Sequence, residues 1–525
     1  MQQLHDAMTI QNMATLLGRV MSDYYADPAA DAVQPFSEQE TVLEMLAEVE
    51  RGHQIRECEQ ADDPRSPEQE LLQTAAPERG EGFAATMNVF EESLLGKSVK
   101  TWHPMFFNQM SAGTPAVAVL GAALATMVNA TLSTFEAAPV ATVVEKITAR
   151  WLAKLLGMPA GSGGIFLPGG STSNMLALAV ARRRKLDPDV ARIGLARATQ
   201  RGAILCSEES HYSIANAAAL LGIGTEQVFR VPTNERGEMR VEGLRTVLGQ
   251  VTDRGLKPFA LVATLGLTVT GGFDPLAELA PICREHDLHL HVDAAFGGGM
   301  ALTESGRHWF AGIEHADTVT WDAHKWMYVP LTCSVLLTPR PADLKRTFRV
   351  QADYLFHQDD AGEEDLCENL GHFTPLCGRR WDALPLWFLL RTYGAGHFRG
   401  LAETRLRLTR EFAELIAADP DFSLSYDPVS PVVCFRYLPE RLADCPGETL
   451  DLVQRRAREA VRRRGVALFN ITSFKGRRHF RFILINSLTE LGHLKGVLEE
   501  IRSAGRTELR RLAEQDATYT FASVS

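Results

Sequence analysis

Lys325 closely follows a short apolar run, Asp317 to Trp321, inside the segment Thr320-Trp321-Asp322-Ala323-His324-Lys325-Trp326. A second strand-like run upstream, Leu288 to Asp293, ends on a carboxylate and passes into Ala294-Ala295-Phe296-Gly297-Gly298-Gly299. A lysine and an aspartate at two strand ends suit one chemistry in particular. Pyridoxal phosphate works as an electron sink when a lysine holds its aldehyde as a Schiff base and a carboxylate keeps its pyridine nitrogen electron-poor. Lys325 and Asp293 fit those roles, and in open α/β sheets ligands gather beyond the strand ends. The plain alternatives are a solvated surface lysine and a capping or turn carboxylate. Against them stand the flanks: Lys325 lies between His324 and Trp326, while two alanines and three glycines after Asp293 leave room for a flat ring.

His289, His291 and Asp293 alternate along one run and would share a face, as metal ligands do. No matching cysteine or helical histidine pair accompanies them, so they are read as ordinary strand residues and no metal is expected. A cofactor phosphate needs a seat, and Pro168-Gly169-Gly170-Ser171-Thr172-Ser173-Asn174 offers one. Its glycines admit close backbone approach, its hydroxyls donate, and the apolar helix expected from Met175 onward turns a positive end toward an anion. The same run reads equally well as a capped helix start. It lacks the GxxxxGK[ST] pattern, which disfavours an ATPase. His211 follows another apolar run and the turn Ser207-Glu208-Glu209-Ser210, where an imidazole can stack over a ring and move protons. A lone histidine is usually structural; the neighbouring pieces favour function here.

These residues need a sheet to hold them. Ala203 to Cys206, Phe259 to Thr264, Leu288 to Asp293 and Thr318 to Trp321 read as buried strands, and Pro139 to Leu156 as a helix with proline at its start. Strands separated by helical segments imply an α/β fold with a mostly parallel sheet. Residues 1–100 are acidic and helix-prone, broken by a linker-like passage at Ala61 to Pro67; 101–395 form the large domain. Residues 396–525 read as a small α+β domain, with strands at Val432 to Tyr437, Val466 to Asn470 and His479 to Ile485, a helix near Leu450 to Arg464 and a final helix.

Composition sets the outer bounds. A chain of 525 residues with 45% hydrophobic content has ample material for a large core. A formal charge of -11 argues against a general nucleic-acid binder, which carries a basic footprint. Arg455 to Arg464 (RRAREAVRRR) is the local exception, read first as the wet face of a helix and second as a docking patch for an acidic partner. Eight scattered cysteines without a CxxC pair point to a reducing compartment, so a cytoplasmic location is expected. The start, Met1 to Ile10, lacks the charged and apolar regions of a leader, and no run approaches the length of a membrane span.

With HPMFFNQMSAG, TFEAAPV, LPGGSTSNM, SEESHYSI, ATLGLTVTGGFDP, HVDAAFGGG, WDAHKW, CGRRWDA and HFRFILINS in order from His103 to Ser487, the chain resembles the group II pyridoxal-phosphate-dependent amino-acid decarboxylases. Its pattern is nearest the glutamate, cysteine-sulfinate and aspartate decarboxylases. The resemblance implies an aspartate-aminotransferase-like fold type I enzyme, a homodimer with sites at the subunit interface. It implies Lys325 as the Schiff-base residue, Asp293 at the ring nitrogen and His211 stacked on the ring. Gly170 and Ser171 would hold phosphate; Thr268, Ala295 and His324 would surround the cofactor. In such enzymes an arginine grips the substrate carboxylate, and Arg481 stands at the matching position, suited by a planar fork that pairs bidentately. Gln109 matches a glutamine near the substrate side chain; a buried structural amide explains it almost as easily.

The sequence departs from the family at three places. A tyrosine that commonly reprotonates the intermediate is replaced by Glu364, and no tyrosine lies between Tyr354 and Tyr393. His211, His372 or a loop carboxylate would then donate the proton, or the enzyme would release aldehyde. Thr131 and Ser133 stand where bulkier or amide side chains are usual, leaving a wider pocket that suits aspartate, methylaspartate, glutamate, cysteine sulfinate, diaminobutyrate or an acidic amino acid tethered to a carrier protein. Leu267 replaces a frequent threonine, and Pro385 is expected to interrupt a helix. An amino-acid carboxy-lyase is the expectation; another fold type I lyase or aminotransferase, and a noncatalytic binding homologue, are the competing classes.

Overall fold

The computed structural model describes residues 7–27, 29, 33, 79, 80, 82–198, 200–352, 354–356, 368–439 and 446–515. Contacts divide the chain into two units: Met1–Asn108 with Asp444–Ile471 and Leu488–Ser525, and Gln109–Ala443 with Thr472–Ser487. These limits differ from a division at residues 100 and 395, because the β-hairpin that carries Arg481 returns to the larger unit. The linker-like passage at Ala61 to Pro67 and Glu364 lie outside the described residues.

In the smaller unit, helices Ala7–Ala26 and Phe83–Val89 precede β1 (Phe106–Phe107), which pairs in parallel with Leu468 and Phe469. Val33, Phe106 and Leu468 form a small apolar cluster there. Helices Gly447–Arg463 and Leu491–Gln515 complete the unit. The arginine-rich helix owes its stability to an apolar face, Leu450, Val453, Ala457 and Val461 being buried at helical spacing.

The larger unit is built on β2 (Gly163–Leu167), β3 (Gly202–Ser207), β4 (Val228–Val231), β5 (Lys257–Thr264), β6 (His289–Asp293), β7 (Thr318–Asp322) and β8 (Ser334–Thr338), ordered β2-β8-β7-β6-β5-β3-β4. From β7 to β4 every pairing is parallel, and β8 runs against both of its neighbours. Strands β3 and β5 are largely apolar and buried, as strands with both faces covered are. The expected strands around residues 204, 262, 291 and 320 all stand in this sheet, and the helix Pro139–Leu156 has its proline in the first turn and ends on Gly157 at φ 87. A second group of strands, β9 (Phe422–Leu424), β10 (Val432–Tyr437) and β12 (Arg477–Ile483), is antiparallel, β12 being reached from β11 (Leu468–Phe474) through a two-residue turn at Lys475 and Gly476. Both turn residues have positive φ, as a tight hairpin requires.

One expectation fails in an instructive way. Pro385 does not interrupt the helix Ala383–Ala418: it lies in the first turn, where its missing N–H has no partner to lose. The break comes instead at Gly394, whose φ of 75 and ψ of 160 are open to glycine alone among common residues.

Candidate active site

Parallel strands β5, β6 and β7 end side by side, Thr264 pairing with Asp293 and Asp293 with Thr320. This brings the turn after β7 next to the carboxylate at the end of β6. Lys325 sits in the single helical turn Ala323–Trp326, its Nζ 3.1 Å from the carboxylate of Asp322. His324 directs Nε2 toward the same carboxylate at 3.6 Å, and its Nδ1 lies 2.8 Å from the Cys333 carbonyl and 3.1 Å from the Cys333 nitrogen. Burial draws the Asp322 pKa upward, but the Lys325 and His324 charges overcome it and hold the group below its ordinary value.

Asp293 is oriented from behind by a directional chain of hydrogen bonds. Its Oδ2 accepts Asn174 Nδ2–H at 2.8 Å and its Oδ1 accepts the Ala295 N–H at 3.1 Å. Asn174 Oδ1 accepts His291 Nε2–H at 3.0 Å, so the other nitrogen, Nδ1, is left to accept the Thr318 hydroxyl at 2.9 Å. Thr318 Oγ1 in turn accepts His289 Nε2–H at 2.8 Å. Both imidazoles are fully enclosed and neutral, burial lowering them to about 3 for His289 and about 4 for His291. The two histidines thus brace the strand end through Thr318 and Asn174.

His211 lies in the same electrostatic neighbourhood. Burial lowers its pKa first, with Asp293 and Asp322 pulling it up and Lys325 pushing it down. Its Nδ1 accepts the Ser213 N–H at 3.3 Å, leaving Nε2 to carry the proton of the neutral ring. Gly170 opens the helix Gly170–Ala181 after Gly169, whose φ is 98. A Cβ on Gly170 would fall 2.8 Å from Asp322 Oδ2, so this position must be glycine for the helix end and β7 to meet. Ser171 is exposed at that helix end, and Thr268 is half-buried in the turn between Gly266 and Gly271.

The three glycines after Ala295 and Phe296 do not clear space for a ring. A Cβ on Gly298 would stand 2.5 Å from Trp321, one on Gly299 would enter the indole of Trp326, and one on Gly297 would strike the Leu265 carbonyl. Their space is taken by the two tryptophans that flank the Asp322–Lys325 turn.

Arg481 is buried on β12 opposite Cys434, and its Nε has no hydrogen-bond partner. Desolvation lowers its pKa, against smaller opposing effects of Cys434 and Tyr426. Those two residues lead back to the cofactor side: Cys434 Sγ donates to the Val269 carbonyl at 3.3 Å and Tyr426 Oη to the Thr270 carbonyl at 2.8 Å. A guanidinium desolvated in this way suits an incoming carboxylate. The residues therefore fit pyridoxal phosphate: a lysine amine, a braced carboxylate, an imidazole beside both, and a glycine-opened helix end.

Residues 65–438 match the family described as the pyridoxal-dependent decarboxylase conserved domain. The chain belongs to that family. It is a pyridoxal-phosphate-dependent amino-acid decarboxylase of fold type I. It is 36% identical over 416 residues to the cysteine sulfinic acid decarboxylase of Homo sapiens, covering 78% of this chain and 83% of that one. It is 34% identical over 449 residues to an acidic amino acid decarboxylase of Mus musculus, covering 84% and 80%. The crystal structure of mouse CSAD superposes with a TM-score of 0.81 at 31% identity, over 95% of this chain and 99% of that chain. Oryza sativa TDC with PLP and tryptamine, 24% identical over 96% and 99% of the two chains, gives a TM-score of 0.84 and shares the fold.

Other positions in this decarboxylase are less tied to the cluster. Gln109 is exposed, and among the described residues no hydrogen bond joins it to the site. Thr131 is exposed and Ser133 buried, the Ser133 carbonyl accepting the Gly371 N–H at 2.7 Å. His372 is buried with its ring 4.0 Å from that of Phe356. Within CGRRWDA, Arg379 forms a buried pair with Glu145 at 2.9 Å and donates to the Phe166 carbonyl at 2.7 Å, which makes it an architectural residue. Two contributors were not singled out from the sequence: Asn174 and Asp322. Both lie in motifs quoted for their neighbours, and a polar residue at a strand end facing a lysine or carboxylate is the signal that marks them.

Proposed function

We propose that this decarboxylase acts on a free acidic amino acid, releasing carbon dioxide and an amine, with Lys325, Asp293, His211 and Arg481 as its working residues. The buried Arg481 guanidinium with an unpartnered Nε carries the reading, because such a group calls for an anionic substrate. The names of the relatives above support the acidic class.

Bound pyridoxal phosphate supplies the sink for the electron pair left when carbon dioxide departs. Lys325 would hold the cofactor through its amine, and Asp293, kept in place by Asn174 and the Ala295 N–H, would serve its ring nitrogen. His211 would move protons through Nε2. Gly170 and Ser171 would hold the phosphate, with Thr268, Ala295 and His324 as further cofactor-binding residues. Arg481 would fix the substrate carboxylate, and Gln109 would stand near the substrate side chain. Two copies form the active dimer, supported by the apolar surface of Leu120, Met127, Val128 and Val140. A cytoplasmic location is supported by five described cysteines standing as free thiols; no described helix is long and apolar enough to cross a membrane.

A substrate tethered to an acidic carrier is the weaker reading. Arg462 and Arg463 share Glu459, Arg464 pairs with Glu500 and Arg456 with Glu508, so three carboxylates of its own unit offset half of the six arginines in the run. The deciding experiment offers aspartate, methylaspartate, glutamate, cysteine sulfinate and diaminobutyrate, free and carrier-attached, and reads carbon dioxide and product mass. Turnover of diaminobutyrate or of carrier-bound substrate alone would overturn the proposal, as would aldehyde and ammonia as the main products. Arg481→Lys should lower kcat/KM roughly 10- to 100-fold, the loss of a bidentate charged hydrogen bond.

A further inference from the structure

Among the described residues four other than glycine have positive φ. Asn129, Asp287 and Lys475 are exposed turn residues, whereas Tyr328, with a φ of 54, is buried three residues after Lys325. A buried aromatic residue holds that conformation only when its surroundings impose it. Its hydroxyl shows what does: Tyr328 Oη donates to the Ile485 carbonyl at 2.6 Å, and burial pushes the phenol up to about 12, so it keeps its proton at neutral pH. Ile485 lies in the turn that follows β12, four residues past Arg481. That turn is held on both sides of Ile485, the Leu484 N–H donating to the Pro431 carbonyl at 2.8 Å and the Asn486 carbonyl accepting Arg405 Nη1–H at 2.7 Å. At the other end the Tyr328 main chain continues the Lys325 turn, its N–H 3.4 Å from the Lys325 carbonyl and the Val329 N–H donating to the Ala323 carbonyl at 3.3 Å. Tyr328, Trp326, Ile483 and Ile485 belong to one core cluster.

One side chain therefore ties the turn of Lys325 to the strand of Arg481. These are the two elements that the proposed function sets against opposite ends of the substrate, Lys325 beside its amine and Arg481 on its carboxylate. A single hydrogen bond drawn against a strained backbone gives the tie a direction: without the phenol, the left-handed residue relaxes and carries the Lys325 turn with it. We propose that Tyr328 is a positioning residue whose bond to the Ile485 carbonyl fixes the Lys325 turn relative to the Arg481 strand, and so aligns the substrate for loss of its carboxyl group. Its hydroxyl touches no reactant. Alignment of this kind is felt in the rate of the bound substrate rather than in the grip on either end alone. The inference rests on the roles proposed for Lys325 and Arg481.

Tyr328→Phe keeps the ring and removes only the bond. In the protein without cofactor, amide hydrogen exchange read by mass spectrometry should quicken in residues 323–329 and 484–486 together, while 289–293 keeps the wild-type rate. In the loaded enzyme kcat should fall roughly tenfold, while the inhibition constant of succinate, a dicarboxylate without an amine that needs Arg481 alone, stays within about twofold of wild type. A role confined to stability predicts otherwise, with exchange quickened evenly across the larger unit and kcat of the folded enzyme retained. Either of those results would overturn the inference alone, as would equal losses in kcat and in succinate binding. Succinate inhibition left unchanged by Arg481→Lys would instead overturn the carboxylate role of Arg481, and the inference with it.

Discussion

Two buried ion pairs in the larger unit have opposite characters. In the pair of Glu145 and Arg379, both carboxylate oxygens and both terminal guanidinium nitrogens are used, with Phe166 supplying an N–H to one partner and a carbonyl to the other. In the pair of Asp322 and Lys325, one carboxylate oxygen is unpartnered and the lysine is partly open. The first arrangement leaves only Arg379 Nε without a partner and closes a joint between helix Pro139–Leu156, β2 and the CGRR segment. The second is incomplete in itself and expects another molecule. A buried ion pair whose carboxylate oxygens are both answered inside the protein argues for architecture, and one with a carboxylate oxygen left wanting argues for chemistry.

The contrast is sharpest at Lys325. Lys325→Ala should reduce turnover by at least about 10³-fold and abolish the borohydride-trappable adduct, with a loss of stability smaller than that of Arg379→Met because the lysine is partly open. Retained turnover and adduct would break the distinction. Arg379→Met should do the reverse, leaving Glu145 buried without a counter-charge at a cost of roughly 3–5 kcal/mol, read by denaturant unfolding, while the cofactor absorbance of the folded fraction persists.

A middle case is the histidine brace. His289 and His291 hold folded values of about 3 and about 4 against an ordinary 6.5. Below pH 6.5 the unfolded chain takes protons that the folded chain declines, so their contribution is whole above that pH and is lost as pH falls toward 4 and then 3. Each is worth up to about 1.4 kcal/mol per pH unit in that window. His291→Asn should flatten the acid limb of a melting-temperature profile; an unchanged slope would remove the brace from the account. The smallest effect belongs to the exposed pair of Arg463 and Glu459, where Arg463→Gln should change stability by less than about 0.5 kcal/mol and activity not at all.

Much of the strand end that carries Asp293 and Lys325 was legible in the sequence. Strands of apolar and β-branched residues end on Asp293 and just before Lys325, and parallel pairing leaves those ends few places to go except side by side. The partners across the sheet were not legible. Nothing in GGSTSN says that Asn174 turns toward Asp293, or that Thr318 joins two histidines, since these meetings depend on strand order and helix rotation. The glycines after Phe296 show how a composition signal misleads: small residues announce that something is close without saying what. Here it is Trp321, Trp326 and a Leu265 carbonyl. Pro385 misleads likewise, because its effect depends on whether it falls in a first turn, a boundary that periodicity fixes poorly.

Those glycines bear on how the lysine moves. With the space beside Gly298 and Gly299 filled by indoles from either side of the Asp322–Lys325 turn, the main chain under the amine is pinned at the rear. In the role proposed for Lys325, any travel would fall to the lysine's own methylene tether, returning the nitrogen to one spot. Gly299→Ala would expel an indole and set that swing off centre, a defect of aim in a residue that never meets a reactant.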